Sequence, residues 1–348
     1  MEMSTLYQRY QVLKAEQPKK YARELAGLLG VSEAELTQAR TQDDAVVLKP
    51  DFHALLSSLE AVGETKSITR NEYAVHEQVG RYENLHLKAG AHAGLILNPR
   101  ALDQRLFPLQ WKSAFALHEK TARGERHSIQ IFDAYGDAIL KIYTTPETNM
   151  TAWQALVTDF TAKNAPKLVI SPVLPAAFNP YPDSALIEQE WRAMTDVHQF
   201  FGLLKRHNIS RQQAFRAVSH DLAKKVDNRT LGELLKLAQN DGNEIMIFIG
   251  NRGCVQIFTG VVEKLMPMEN WLNIFTPTFT MHLIEDAIAE SWVTHKATAN
   301  GMVTSLELFA ADGTQIAQLY GQRTEGEPEQ TRWREQIALL TDGVGAAA

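Results

Sequence analysis

The 348-residue chain has one cysteine, Cys254. A single thiol excludes an internal disulfide, a CxxC redox pair and a CxxCH site for covalent haem attachment. No apolar run approaches the roughly 20 residues needed to span a bilayer. The opening MEMSTLYQRYQVLKAEQPKK has no apolar core of signal-peptide type, so a cytoplasmic protein is expected. There is no GxGxxG or GxxxxGK[ST] phosphate loop, no HExxH metal motif and no GxSxG elbow. Dehydrogenase, kinase, zinc-protease and serine-hydrolase readings therefore lack support. The formal net charge of -6 argues against nonspecific nucleic-acid binding as the main task. No histidine precedes His53, an absence that bears on the two halves below.

What is present is an ordinary globular composition, 45% hydrophobic and 22% charged, with a strong internal echo. SIQIFDAYGDAILKIY (Ser128 to Tyr143) matches SLELFAADGTQIAQLY (Ser305 to Tyr320), with Ser, Phe, Ala, Gly, Ile and Tyr identical in register. Each segment alternates and turns at a glycine, Gly136 or Gly313, as a β-hairpin does. Each precedes a tryptophan-led helix, TAWQALVTDF or TRWREQIALL. NEYAVH (Asn71 to His76) resembles NEIMIF (Asn243 to Phe248), and Ser32 with Glu35 mirrors the capping-box spacing of Ser210 with Gln213. Recurrence in one order predicts an α+β fold made by internal duplication, two similar halves each with N-terminal helices and a large antiparallel sheet. Five of the thirteen prolines fall between Pro166 and Pro182 and predict an extended connection lying along the body. The division is residues 1–165, a connection over 166–189, and 190–348.

The stretch EWRAMTDVHQFFGLLKRHNISRQQAFRAV (Glu190 to Val218) carries the chemistry. Ala193, Met194, Val197, Phe200, Phe201 and Leu204 recur at helical spacing and predict one amphipathic helix over Trp191 to Arg206. His198 sits at the edge of that stripe, where its ring could look into an apolar cavity. A lone histidine so placed is more often a surface or packing residue. By the same standard Asp196 and Gln199 read as solvent-facing, Arg211 as an exposed first-turn residue, Lys296 as a strand-face charge, and Tyr320 as the packing partner of its repeat-mate Tyr143.

Four segments change the balance: DVHQFFGLLKRH, LDQRLF followed by QWKSAFAL, NEIMIFIGNRGCVQIF, and LYGQRTEGEPEQ. Together they resemble the cytoplasmic haem-handling proteins of Gram-negative bacteria, the HemS, ChuS, ShuS and HmuS group, over essentially the whole chain. The resemblance implies a duplicated fold that binds one haem b (iron protoporphyrin IX) between its halves. It implies His198 as the proximal iron ligand and Arg105 on the distal side, with Arg100 of LNPRAL as the competing candidate. It implies Arg211, Lys296, Tyr320, Gln322 and Arg323 around the propionates or the nearby polar edge. An imidazole is a common proximal haem ligand, and carboxylates favour Arg and Lys.

Two activities follow from the resemblance. One is oxidative haem degradation that releases iron, with dioxygen and an external reductant. The other is a carrier that receives haem and passes it on. Implied partners are haem, an inner-membrane haem importer or a haem-accepting protein, for a monomer or homodimer. The first-half helices offer no equivalent of His198, and Arg105 aligns with Trp271 of MENWLNIF, so the halves are expected to be specialised and to hold one haem rather than two.

Overall fold

A computed structural model describes residues 5–342. Two compact units emerge, one of residues 1–70, 77–174 and 250–256, the other of 71–76, 175–249 and 257–348. The first unit and its hairpin tip run, in chain order, through α1 (Leu6–Glu16), α2 (Ala22–Leu29), α3 (Glu33–Ala39), β1 (Ala45–Leu48) and α4 (Phe52–Ser58). Eight strands follow: β2 (Gly63–Arg70), β3 (Ala74–Arg81), β4 (Leu85–His86), β5 (Gly94–Leu97), β6 (Asp103–Leu106), β7 (Trp111–Thr121), β8 (Gly124–Asp133) and β9 (Ala138–Thr148), and then α5 (Met150–Phe160).

The second unit repeats that order. It has α6 (Ser184–Arg192), α7 (Gln199–His207), α8 (Arg211–Ala217), β10 (Ala223–Val226) and α9 (Thr230–Asp241). Its eight strands are β11 (Ile245–Gly250), β12 (Cys254–Gly260), β13 (Lys264–Met268), β14 (Trp271–Phe275), β15 (Phe279–Ile284), β16 (Glu290–Thr298), β17 (Gly301–Phe309) and β18 (Gln315–Gly321), closed by α10 (Thr331–Thr341). Three helices, a strand, a helix, eight strands and a helix thus occur twice, and the duplication read from the hairpins extends over the whole fold.

The reason these strands form layered sheets is in their side chains. In the first unit β1, β7, β8, β9 and β2 are neighbours in that order. Phe115 and Leu117 of β7 face α3, packing with Ala34 and Phe132. Ala114 and Ala116 face the other way, with Trp153 and Leu156 of α5. A sheet covered on both faces needs apolar residues at consecutive positions, and the inner half of β8 is buried throughout. The second unit does the same: Phe309 packs under α6 to α8, while Leu306 and Leu308 pack against α9 and Trp333 of α10.

Capping boxes start the matching helices α3 and α8. Ser32 accepts from the Glu35 amide at 3.2 Å and Ser210 from Gln213 at 3.1 Å, each worth about 1 kcal/mol. Two asparagines close the hairpin tips. Asn71 donates to the carbonyls of Gln315 (3.4 Å) and Ile316 (3.0 Å) and accepts from the amides of Tyr73 and Ala74. Asn251 donates to the carbonyls of Arg70 and Ile139, both at 2.9 Å, and accepts from the amides of Gly253 and Cys254.

Some elements differ from the sequence reading. The single helix expected over Trp191 to Arg206 is two, α6 and α7, separated at 193–198. Asp196 Oδ1 takes the His198 amide at 2.7 Å, and Gln199 Oε1 takes the Thr195 amide at 2.8 Å. These bonds turn the chain and open a new helix inside a continuous apolar stripe. The strand that the sequence pattern predicts over Tyr82 to Leu87 shrinks to the short β4, with Tyr82 buried as a core residue. The helix α9 and the strands β1, β10 and β13 were not anticipated. The connection packs Leu168 and Ile170 against the first unit, whereas Val173, Leu174 and Tyr181 are exposed.

The repeated hairpin turns differ in surroundings. Gly136 and Gly313 both have positive φ, 81° and 84°, where an L side chain is strained. A Cβ on Gly136 would also run into the Ser32 side chain, whereas the nearest atom at Gly313 is Gln212 Oε1 at 3.6 Å. Gly136→Ala should therefore cost about 2–4 kcal/mol and Gly313→Ala about 1–2 kcal/mol. Urea unfolding of both variants checks the difference, and equal shifts would show that the Ser32 contact relaxes freely.

Candidate functional site

The α6–α7 break places His198 as the residue before the first turn of α7. It lies outside the apolar cavity expected for it: its side chain is 88% exposed. The ring is nevertheless held. Nδ1 lies 2.7 Å from Asp196 Oδ1, the same oxygen that accepts the His198 amide. The Asp196 carboxyl is kept below its usual range by the backbone and ring hydrogen bonds from His198, with Arg323 adding attraction. An ionised carboxylate at Nδ1 selects the tautomer with the proton there and leaves the Nε2 lone pair directed outward. Phe201, three residues on and so on the same helix face, is 73% exposed. The site thus presents an oriented imidazole nitrogen beside an exposed aromatic ring, with Arg323 near Asp196.

Asp196 and Phe201, which stand beside His198 in the candidate site, are not singled out by the sequence reading. The signal for Asp196 was its position two residues before a histidine at a turn. Phe201 was read as core because Phe200 and Phe201 both fit the stripe; Phe200 alone is buried.

Under α7 lies a different chemistry. Glu307, fully buried, accepts from Arg211 Nε and Nη2 at 2.9 and 2.8 Å, Lys296 Nζ at 3.3 Å, Ser305 at 3.1 Å and Gln315 at 2.9 Å. The Arg211 guanidinium sits 4.9 Å and the Lys296 ammonium 4.7 Å from the Phe200 ring centroid. Burial raises the Glu307 carboxyl, but Arg211 and Lys296 outweigh it and bring it to about 2. Burial lowers the Lys296 ammonium to about 8, with Glu307 opposing and Arg211 adding repulsion. Arg211 and Lys296 are therefore committed to an internal carboxylate. Tyr320 donates to Gln318 at 2.9 Å and meets Phe248 edge-on at 5.1 Å. Gln322 donates to Thr324 at 3.3 Å.

Arg105 lies on β6 of the first unit, half-buried, with Nη1 2.6 Å from Asp103 Oδ1. Behind it Gln104 donates to Gln256 at 2.8 Å, and Gln256 donates to the Ser67 carbonyl at 3.0 Å, so a buried polar network fixes the register of β6 on β12. Arg100 is exposed in the preceding turn with φ 66°. The expected alignment of Arg105 with Trp271 is corrected by the strand order. Arg105 is on the fifth of eight strands, whose counterpart is β15, and the register joining Ser128 to Ser305 sets it against His282; Trp271 lies on β14.

Comparison with known proteins adds the following. The profile of the haemin-degrading HemS.ChuX domain matches residues 30–160 and 208–340, once in each half. The chain is 64% identical to the hemin transport protein HmuS of Yersinia pestis over 97% of both chains. It is 61% identical to the hemin transport protein HemS of Yersinia enterocolitica, over 97% of this chain and 98% of that one. Among solved structures, the heme degrading enzyme ChuS of Escherichia coli O157:H7 superposes with a TM-score of 0.92 at 61% identity, over 97% and 98% of the two chains. Holo-PhuS, a heme-binding protein from Pseudomonas aeruginosa, superposes at 0.93 and 40% identity over the same shares.

Glu307→Gln leaves two buried cations without a counter-charge and should cost about 3–5 kcal/mol by urea unfolding at neutral pH. The depressed Glu307 carboxyl contributes stability above its ordinary value of 4.5 that is lost as pH falls toward 2. Wild type should lose more stability than the variant across that window. Parallel pH profiles would mean that the carboxylate contributes nothing there.

Proposed function

Because this chain belongs to the haemin-degrading HemS.ChuX domain family, we propose that it binds one haem through His198 Nε2 and degrades it oxidatively to release iron. The observation that carries this reading is the His198 imidazole, anchored at Nδ1 by an ionised carboxylate and open at Nε2. That arrangement is how iron-ligating histidines are oriented and made more basic. The residues present suit a porphyrin: Phe201 offers an apolar face beside the nitrogen, and Arg323 offers a cation for a propionate, with Gln322 and Tyr320 nearby in sequence. Arg211 and Lys296 act in this reading through Glu307, as the charged floor beneath α7, and reach a propionate only by leaving that carboxylate.

Haem is the substrate here. Ring opening consumes dioxygen and electrons from an external reductant, and the iron centre supplies the oxygen chemistry. The protein's own part would be to hold the iron through His198 and to supply a polar group that steers the reaction. Arg105 is the residue assigned to the second task, with Arg100 as its competitor. The description of ChuS as a heme degrading enzyme supports this activity, and the buried, unpaired Cys254 suits work in the cytoplasm on imported haem.

A carrier function has one specific observation in its favour. A ligating nitrogen this exposed can be reached by an incoming partner's ligand, as hand-over to an acceptor requires. Incubating haem-loaded protein with a reductant and catalase separates the two readings. A verdin-like product formed despite catalase establishes the enzyme, whereas intact haem that transfers to an acceptor establishes the carrier.

Titration of wild type should give one haem per chain with a histidine-ligated Soret band. His198→Ala should lose or strongly shift that band, and an unchanged spectrum removes His198 from its role. Asp196→Ala should retain ligation with affinity lower by about 10–100-fold. Arg105→Ala should leave haem bound but slow ring opening. The assignment moves to Arg100 when Arg100→Ala alone slows it.

A further inference from the structure

The outer end of the β7–β8 hairpin carries a cluster that haem chemistry does not use. His118 and His127 are directly opposed in the antiparallel register, and Lys120 is opposed to Glu125. Residues two apart on a strand share a face, so His118, His127 and Glu125 project together. The imidazoles stack with centroids 4.1 Å apart and an interplanar angle of 18°. His118 Nε2 is 3.2 Å and His127 Nε2 is 4.0 Å from Glu125 Oε2, and one ligand atom from each residue lies within 4.8 Å of the others.

We propose that His118, His127 and Glu125 form a binding site for a divalent cation of the zinc class. Two donors bound tetrahedrally at about 2.1 Å lie about 3.4 Å apart. His118 Nε2 is already close to that value from Glu125 Oε2, and rotation of the two stacked rings would bring their nitrogens to converge on one ion. Two imidazoles and one carboxylate are the donor set of zinc sites that keep a fourth position open to water. Hard cations such as calcium and magnesium prefer oxygen throughout.

The surroundings agree. Arg126 is turned to the opposite face, bonded to Glu119 at 2.8 Å and lying 5.3 Å from the Tyr143 ring. Lys120 lies opposite Glu125 in the register. The second half supplies an internal control. At the same three register positions β16 and β17 carry His295, Thr304 and Met302, and His295 Nδ1 meets the Thr304 hydroxyl at 3.1 Å. Among the described residues the donor set exists in one copy.

The test uses the full-length, haem-free, chelator-washed chain and the metals alone. Zinc titrated calorimetrically against a competing chelator should bind one per chain. His118→Ala/His127→Ala should weaken it by at least about tenfold, with the melting temperature of the metal-free protein unchanged. Cobalt(II) added to wild type should give the intense visible absorption of a four-coordinate nitrogen–oxygen site, a readout that needs no variant. Calcium and magnesium should not compete. Zinc affinity unaffected by the double substitution, zinc binding lost instead in His198→Ala, or cobalt spectra of a six-coordinate hydrated ion would each overturn the assignment.

Discussion

Four hydrogen bonds on each of two asparagine side chains decide how this chain is partitioned. Asn71 and Asn251, rather than Asn71 and Asn243 as the segment likeness suggests, occupy the tips of equivalent hairpins, β2–β3 and β11–β12, and each uses both amide hydrogens and its carbonyl oxygen. Each therefore ties a tip to strand-end carbonyls, of which that of Ile316 is buried and would cost about 1–3 kcal/mol if left without a donor. As a result, residues 71–76 belong to the second compact unit and residues 250–256 to the first. The side chains on these tips complete what they enter. Ala74 joins the large core of the second unit, and Cys254 that of the first. Gln256 holds the network behind β6, the strand that carries Arg105.

A second constraint shapes the helix beside His198. Phe200 turns inward onto a layer of aromatic rings and buried cations, while Phe201 and His198 turn outward. The buried face is unusual in holding a full carboxylate, Glu307, neutralised by Arg211 and Lys296. A charged floor of this kind is less favourable than an apolar one of equal volume, and breaking it by removing one partner is strongly destabilising. The position of α7, and through it the direction of the His198 ring, rests on that arrangement.

Much of this was legible in the amino acids. Ser128–Tyr143 and Ser305–Tyr320 announced the duplication because a two-residue strand period and a turn glycine leave a strong local pattern. Ser32 and Ser210 marked helix starts through spacing alone, and His198 became the candidate ligand only through its resemblance to a family. Other features depended on tertiary choice. The break at 193–198 hides inside an unbroken apolar stripe, since Thr195 and Asp196 make their bonds without interrupting the period. The pairing of Arg211 with Glu307 joins residues on a helix and a distant strand, and nothing in either segment names the other. Trp271 drew a false alignment with Arg105 because short β-strands are shifted easily when only one side chain anchors them.

The exchange of hairpin tips also sets an order on synthesis. A ribosome releases residues 1–174 well before 250–256, so most of the first unit is available to fold without Gly250 to Gln256. Until then Gln104 has no Gln256 to donate to, the Trp111 indole lacks the Gly253 carbonyl that it donates to at 2.9 Å, and the edge of β6 that takes Cys254 to Gln256 is open. An open strand edge is where a nascent chain pairs wrongly. The first half of this protein is thus finished by the second, and its exposure to mispairing lasts for the time needed to translate the intervening residues.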